Sequence, residues 1–170
     1  MTVTIDEIVQ LLEANGLTVQ RARNEGSHCG LRVPTRVYVD ADGNHSLLLV
    51  FSVDWSGCWL EVAAPRAYNA NHAAHRGAMF EALLRSCYLV KHVRVKHDET
   101  DGEIQLAADM PVMDAKVTSL QLSRLVQVLM AALDEFHEVI RHAMATGEID
   151  MGRRLSVREP PGPWDDDDEE

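Results

Sequence analysis

Residues 36–64 read RVYVDADGNHSLLLVFSVDWSGCWLEVAA. Three runs of strand-like sequence are separated here by two turns. Arg36 to Asp40 alternates, with Val37 and Val39 expected to face inward. Ala41-Asp42-Gly43-Asn44 is a turn, because glycine after aspartate adopts positive φ cheaply. Leu47 to Val53 is almost wholly apolar, the signature of a central strand covered on both faces. Asp54-Trp55-Ser56-Gly57 turns the chain again, after which Cys58, Leu60 and Val62 alternate with Trp59 and Glu61. The stretch predicts a three-stranded antiparallel meander that Pro65 ends.

Upstream, Thr4-Ile5-Asp6-Glu7 forms a capping box in which hydroxyl and carboxylate each satisfy the other residue's backbone N–H. Ile5, Ile8, Val9 and Leu12 keep helical spacing up to Gly16, so a helix is expected from about residue 5 to 15. Residues 17–23 are a possible edge strand, and 24–30 a loop by composition. Leu31 to Val33 is interrupted by Pro34, which suggests an edge position.

Downstream, Ala73, Gly77, Phe80, Leu84 and Cys87 predict the buried stripe of a second helix over 73–87, with Leu83 beside it. Residues 90–97 and 104–108 predict a second hairpin around the turn formers of 98–102. Thr118 and Gln121 form another capping box, and a helical pattern then runs through Leu122, Leu129, Phe136 and Ile140 to Gly147. The order is α-β-β-β-α-β-β-α, an α+β domain over 1–147 with an antiparallel sheet and helices packed on it. Residues 148–170, with Pro160-Pro161-Gly162-Pro163 and an acidic end, read as a flexible tail.

Of a formal net charge of −11, six negative charges lie in residues 165–170. The remainder is only mildly acidic, which disfavours nucleic acid and anionic membranes as partners. No basic-then-apolar leader opens the sequence, and no apolar run approaches the ~18 residues of a membrane span. Cys29, Cys58 and Cys87 are too few for a disulfide framework, so a reducing, cytoplasmic compartment is expected.

No catalytic, metal or cofactor motif stands out. His137 and His142 are five apart rather than the four that a zinc-protease helix needs. His72 and His75 have ligand-like spacing but no third donor nearby in sequence. His28-Cys29 lies in a predicted loop without an identifiable partner, and Ser56 lacks a nucleophile elbow. Asp98, Glu99 and Asp101 crowd a turn too short for a calcium loop. The expectation is therefore no enzyme and no cofactor.

The element order resembles the type III secretion chaperone-like fold and, within it, the YbjN family, over about residues 4–146. The resemblance rests on Leu12-Glu-Ala-Asn-Gly-Leu17 closing the first helix, the meander at 36–64, the strand from Ile104 into Asp109-Met-Pro-Val-Met-Asp114, and the long last helix. It implies a compact protomer, often dimeric, without enzymatic activity; secretion chaperones bind an unfolded client segment along strand and helix surface. No family residue carries over, because these are patterns rather than site motifs. The expected function is thus a chaperone-like or adaptor module for a polypeptide partner.

Two surfaces are candidates for that partner. The helix from Ser119 to Thr146 has 28 residues, about 42 Å. Val128, Ala132 and Val139 widen its apolar arc on one flank and Met130 on the other, to roughly 200°, more than one sheet requires. The surplus should meet other helices or a second copy in a homodimer. The second candidate is the tail, with Trp164 as an apolar anchor beside Asp165, Asp166, Asp167 and Asp168. A regulatory or nucleic-acid-mimicking module acting through that tail is the alternative reading.

Overall fold

A computed structural model describes residues 2–21, 28–112 and 117–155. The elements are α1 (Ile5–Ala14), β1 (Val19–Arg21), β2 (His28–Pro34), β3 (Ser46–Val53), β4 (Trp59–Asn69), α2 (Arg76–Leu89), β5 (Val93–His97), β6 (Glu103–Pro111) and α3 (Ser119–Thr146), with short 3-10 turns at Ala70–His72 and Met151–Arg153. All strand pairs are antiparallel, in the order β1-β2-β3-β4-β6-β5. The fold is α+β, as the sequence predicts, with the possible early strand present as β1.

Both capping boxes form. Thr4 N–H donates to Glu7 Oε2 at 2.9 Å and Glu7 N–H to Thr4 Oγ1 at 3.3 Å. Thr118 and Gln121 make the same exchange at the head of α3, and Gly147 closes that helix with φ of 81°. α1 lies over β1–β3, α3 lies over β4–β6, and α2 packs on α3 and β5. Together they cover the sheet face that carries Leu31, Leu49, Phe51, Val62 and Ala108. The opposite face is spanned at one end by ion pairs: Lys96 Nζ sits 2.6 Å from Glu61, and Arg94 bridges Glu61 and Asp109.

Several expectations are corrected. Residues 36–40 are not a strand. The amides of Arg36, Val37 and Tyr38 are taken by a carboxylate of α3, and Tyr38, rather than Val37 or Val39, is the fully buried residue. The meander's first strand is instead β2, which lies between β1 and β3 and not at an edge; Pro34 is tolerated as its last residue. Pro65 does not end β4. A register shift between Ala64 and Tyr68 accommodates it, with Arg66 at φ of 53°, and the strand resumes its pairing with β6 at Tyr68. α2 begins three residues later than expected and buries Met79, Ala82, Leu83 and Ser86, a stripe one position round from the predicted one.

The surplus arc of α3 is met within the chain. Ala132 is 4% exposed and Val139 0%, so neither is available to a partner, and Val128 is half-buried. Residues 148–155, placed in the tail by composition, lie against α3: Leu155 N–H donates to the Glu135 carbonyl at 3.1 Å, and the Arg154 guanidinium sits 5.3 Å from the centre of the Phe136 ring. Trp164, Asp165, Asp166, Asp167 and Asp168 lie outside the described residues.

Candidate functional site

A long amphipathic helix ordinarily keeps polar groups off its buried face. α3 departs from this in its middle, where Asp134 and His137 are both 5% exposed. Each brings together distant parts of the chain. Asp134 Oδ2 accepts from Arg36 N–H at 3.1 Å, and Oδ1 accepts from Val37 and Tyr38 N–H at 3.0 and 2.8 Å. A buried carboxylate is tolerable when so hydrogen-bonded. The loop it captures is closed on itself as well. Thr35 Oγ1 donates to Tyr38 O at 2.6 Å, and Asp40 accepts from the Asn44 backbone N–H at 2.8 Å.

His137 completes an aromatic cluster. Its ring meets Tyr38 edge-on at 5.2 Å between centroids and stacks on Tyr68 at 5.9 Å. Tyr38 Oη donates to the Ala67 carbonyl at 3.1 Å. Tyr68 Oη lies 3.3 Å from His137 Nδ1. Burial, and secondarily Asp40, pushes the Tyr38 hydroxyl up to about 12. Burial, with Tyr38 second, raises Tyr68 well above the ordinary tyrosine value, and burial holds His137 below the ordinary histidine value. Both phenols are therefore neutral at physiological pH, and the imidazole is biased to neutral. A phenol can donate or accept here; with Tyr68 Oη donating to Nδ1, its sole partner among the described residues, the neutral imidazole carries its proton on Nε2.

This cluster forms one side of a pocket of about 830 Å³. Ala67, Tyr68, His137 and Met144 line it, the loop from Val39 to Gly43 flanks it, and Arg66, His72, Asp101, Glu103, Glu138 and Arg141 are its charged or titratable margin. Arg66 is tied to Glu103, whose Oε1 accepts the Arg66 N–H at 3.1 Å. His72 reaches the pocket, whereas His75 packs its ring against Gly147 at the end of α3. Among the described residues no group of three or more His, Cys, Asp or Glu side chains is placed to hold a metal ion.

A second feature is apolar and faces outward. Leu84 and Tyr88, one turn apart on α2, are 70% and 90% exposed, and Leu89 beside them is 46% exposed. The predicted stripe had placed Leu84 in the core. At the β3–β4 turn, Trp55 is 99% exposed. Asp54 organises that turn, accepting from Ser56 Oγ at 2.5 Å and from Cys58 and Trp59 N–H at 2.9 Å each. The hydrogen bond from Ser56 is the main cause holding the Asp54 carboxyl below its ordinary value.

The sequence contained one signal for the buried cluster: an aspartate and a histidine three apart on the core face of a helix. No helix among the described residues is long and apolar enough to cross a membrane. Comparison of the chain with protein-family models gives no match, and comparison with curated proteins gives none.

Proposed function

We propose that the chain is a non-catalytic protein-binding module, chaperone-like or adaptor in type, that engages a polypeptide partner through the outer face of α2. The observation that carries this is the Leu84–Tyr88–Leu89 strip. Three large apolar side chains stand out of one helix end, where burial would recover roughly 25 cal/mol per Å² of apolar surface. A tyrosine flanked by leucines suits an interface centre, since it buries a large area and fixes few rotors. The resemblance to the YbjN family points the same way. The three sparse cysteines favour a cytoplasmic setting.

The experiment is capture of partners from native lysate by the intact chain and by the Leu84→Glu/Tyr88→Glu variant. Partners held by the former and lost by the latter support the proposal. An identical set on both, or no partner at all, overturns it. A homodimer remains part of the proposal on a narrower basis. With Ala132 and Val139 enclosed, the α2 strip is the exposed apolar surface on which we place a second copy. Sedimentation equilibrium at micromolar concentration tests it; a lone 19.0 kDa species rules the dimer out.

A further inference from the structure

The pocket lies apart from the α2 strip, and no residue of α2 lines it. Its most unusual member is His137. The side chain is 95% enclosed, its Nδ1 is occupied by Tyr68, and Nε2 has no partner among the described residues. In the tautomer in which Nδ1 accepts from Tyr68, Nε2 carries a buried N–H without an acceptor, which is costly, so a group that supplies one is bound with advantage. Arg141 stands one turn further along α3, on the same side of the helix, and also lines the pocket. Its guanidinium makes no ion pair or hydrogen bond among the described residues, and its charge acts on His137. We propose that this pocket binds a single carboxylate, held between the His137 Nε2–H and the Arg141 guanidinium, and supplied either by the C-terminus of a peptide or by a small organic acid.

The other charges define what fits. Asp40 is engaged by Asn44, by Ser46 at 3.4 Å and by Arg32 at 3.5 Å, and Glu103 by Arg66. Glu138 makes no ion pair among the described residues, and the Asp101 side chain accepts only the Glu103 N–H. These two carboxylates stand at the margin with Arg141 and repel a second anionic group. The site therefore takes a monoanion in preference to a dianion.

The test follows the imidazole ¹⁵N resonances of His137 in the full chain during titration with N-acetylglycine, N-acetylglycinamide and succinate. The acid shifts them saturably and raises the His137 pKa, the amide does neither, and succinate binds more weakly than the monoacid. Arg141→Gln, an exposed substitution that leaves the fold intact, weakens the acid by about tenfold or more, as loss of a charge-assisted hydrogen bond requires. Equal responses to acid and amide overturn the site, as does unchanged binding in Arg141→Gln or no response to any probe. An alanine oligopeptide with a free C-terminus separates the sources. Tighter binding than N-acetylglycine, abolished by C-terminal amidation, assigns the peptide; equal or weaker binding assigns the small acid.

Discussion

The two long helices break the rule of apolar inside and polar outside in opposite directions. α3 takes Asp134 and His137 into the core, and α2 turns Leu84 and Tyr88 out of it. The first exception is answered within the molecule fully at Asp134, by backbone amides from the β2–β3 loop, and at one nitrogen of His137, by a hydroxyl from β4. The second has no answer among the described residues. A buried polar group with partners is a structural joint, whereas an exposed apolar group without them marks a surface that something else is to cover.

Substitutions that test this contrast fall in a clear order. Val139→Asp should have the largest effect. Val139 is 0% exposed, and a carboxylate there has no partner, so a loss of about 4 kcal/mol or more is expected and the chain should not fold cooperatively. A folded Val139→Asp monomer would mean that this flank of α3 is a surface after all. Asp134→Ala comes next. It strands three amides and releases the loop, and urea denaturation should show a loss of about 3 kcal/mol. A loss under about 1 kcal/mol would reduce the carboxylate to an ornament of the loop.

Acid should act through His137. Its folded pKa lies below the unfolded value of about 6.5, so the unfolded chain binds the proton first. The stability associated with the neutral ring is complete above about pH 7. It is lost as pH falls through 6.5 toward the folded value, at no more than about 1.4 kcal/mol per pH unit. The groups facing the ring are Tyr68 on β4, Tyr38 and His45 on the loop, and Asp134, Glu138 and Arg141 on α3 itself. Denaturation midpoints at pH 7.5 and 5.5 should therefore differ less in His137→Gln than in the parent chain; equal differences would exclude His137 as the cause. Leu84→Glu/Tyr88→Glu should have the smallest effect on stability, within about 0.5 kcal/mol, because the side chains touch little. A thermal scan showing a drop of several degrees would place the strip inside the domain's own packing.

What the sequence made legible was local. Thr4 and Glu7, Thr118 and Gln121, and Gly147 state helix ends in three or four residues, and the structure uses each as expected. The apolar run of β3 likewise announces itself. Residues 36–40 misled because Val37 and Val39 alternate as a strand would, while the group that claims the amides of Arg36, Val37 and Tyr38 lies 96 to 98 positions later. α2 misled for a different reason. Met79, Phe80, Leu83, Leu84, Cys87 and Tyr88 spread apolar side chains over about 180° of the helix, so periodicity alone could not say which part of that arc turns inward. The pocket was illegible because it needs the β4 bulge, the loop and the middle of α3 at once, three segments no local pattern relates.

The tie between Asp134 and the β2–β3 loop also sets an order of events. Three amides of the loop wait for a carboxylate that belongs to the last long helix of the chain. Strands β2 and β3 can pair early, but the segment joining them cannot settle until α3 has formed and docked, and contacts of such high sequence separation are slow to close. The first third of the protein is thus completed by its final third, and any fragment ending before residue 134 leaves its own N-terminal half unfinished.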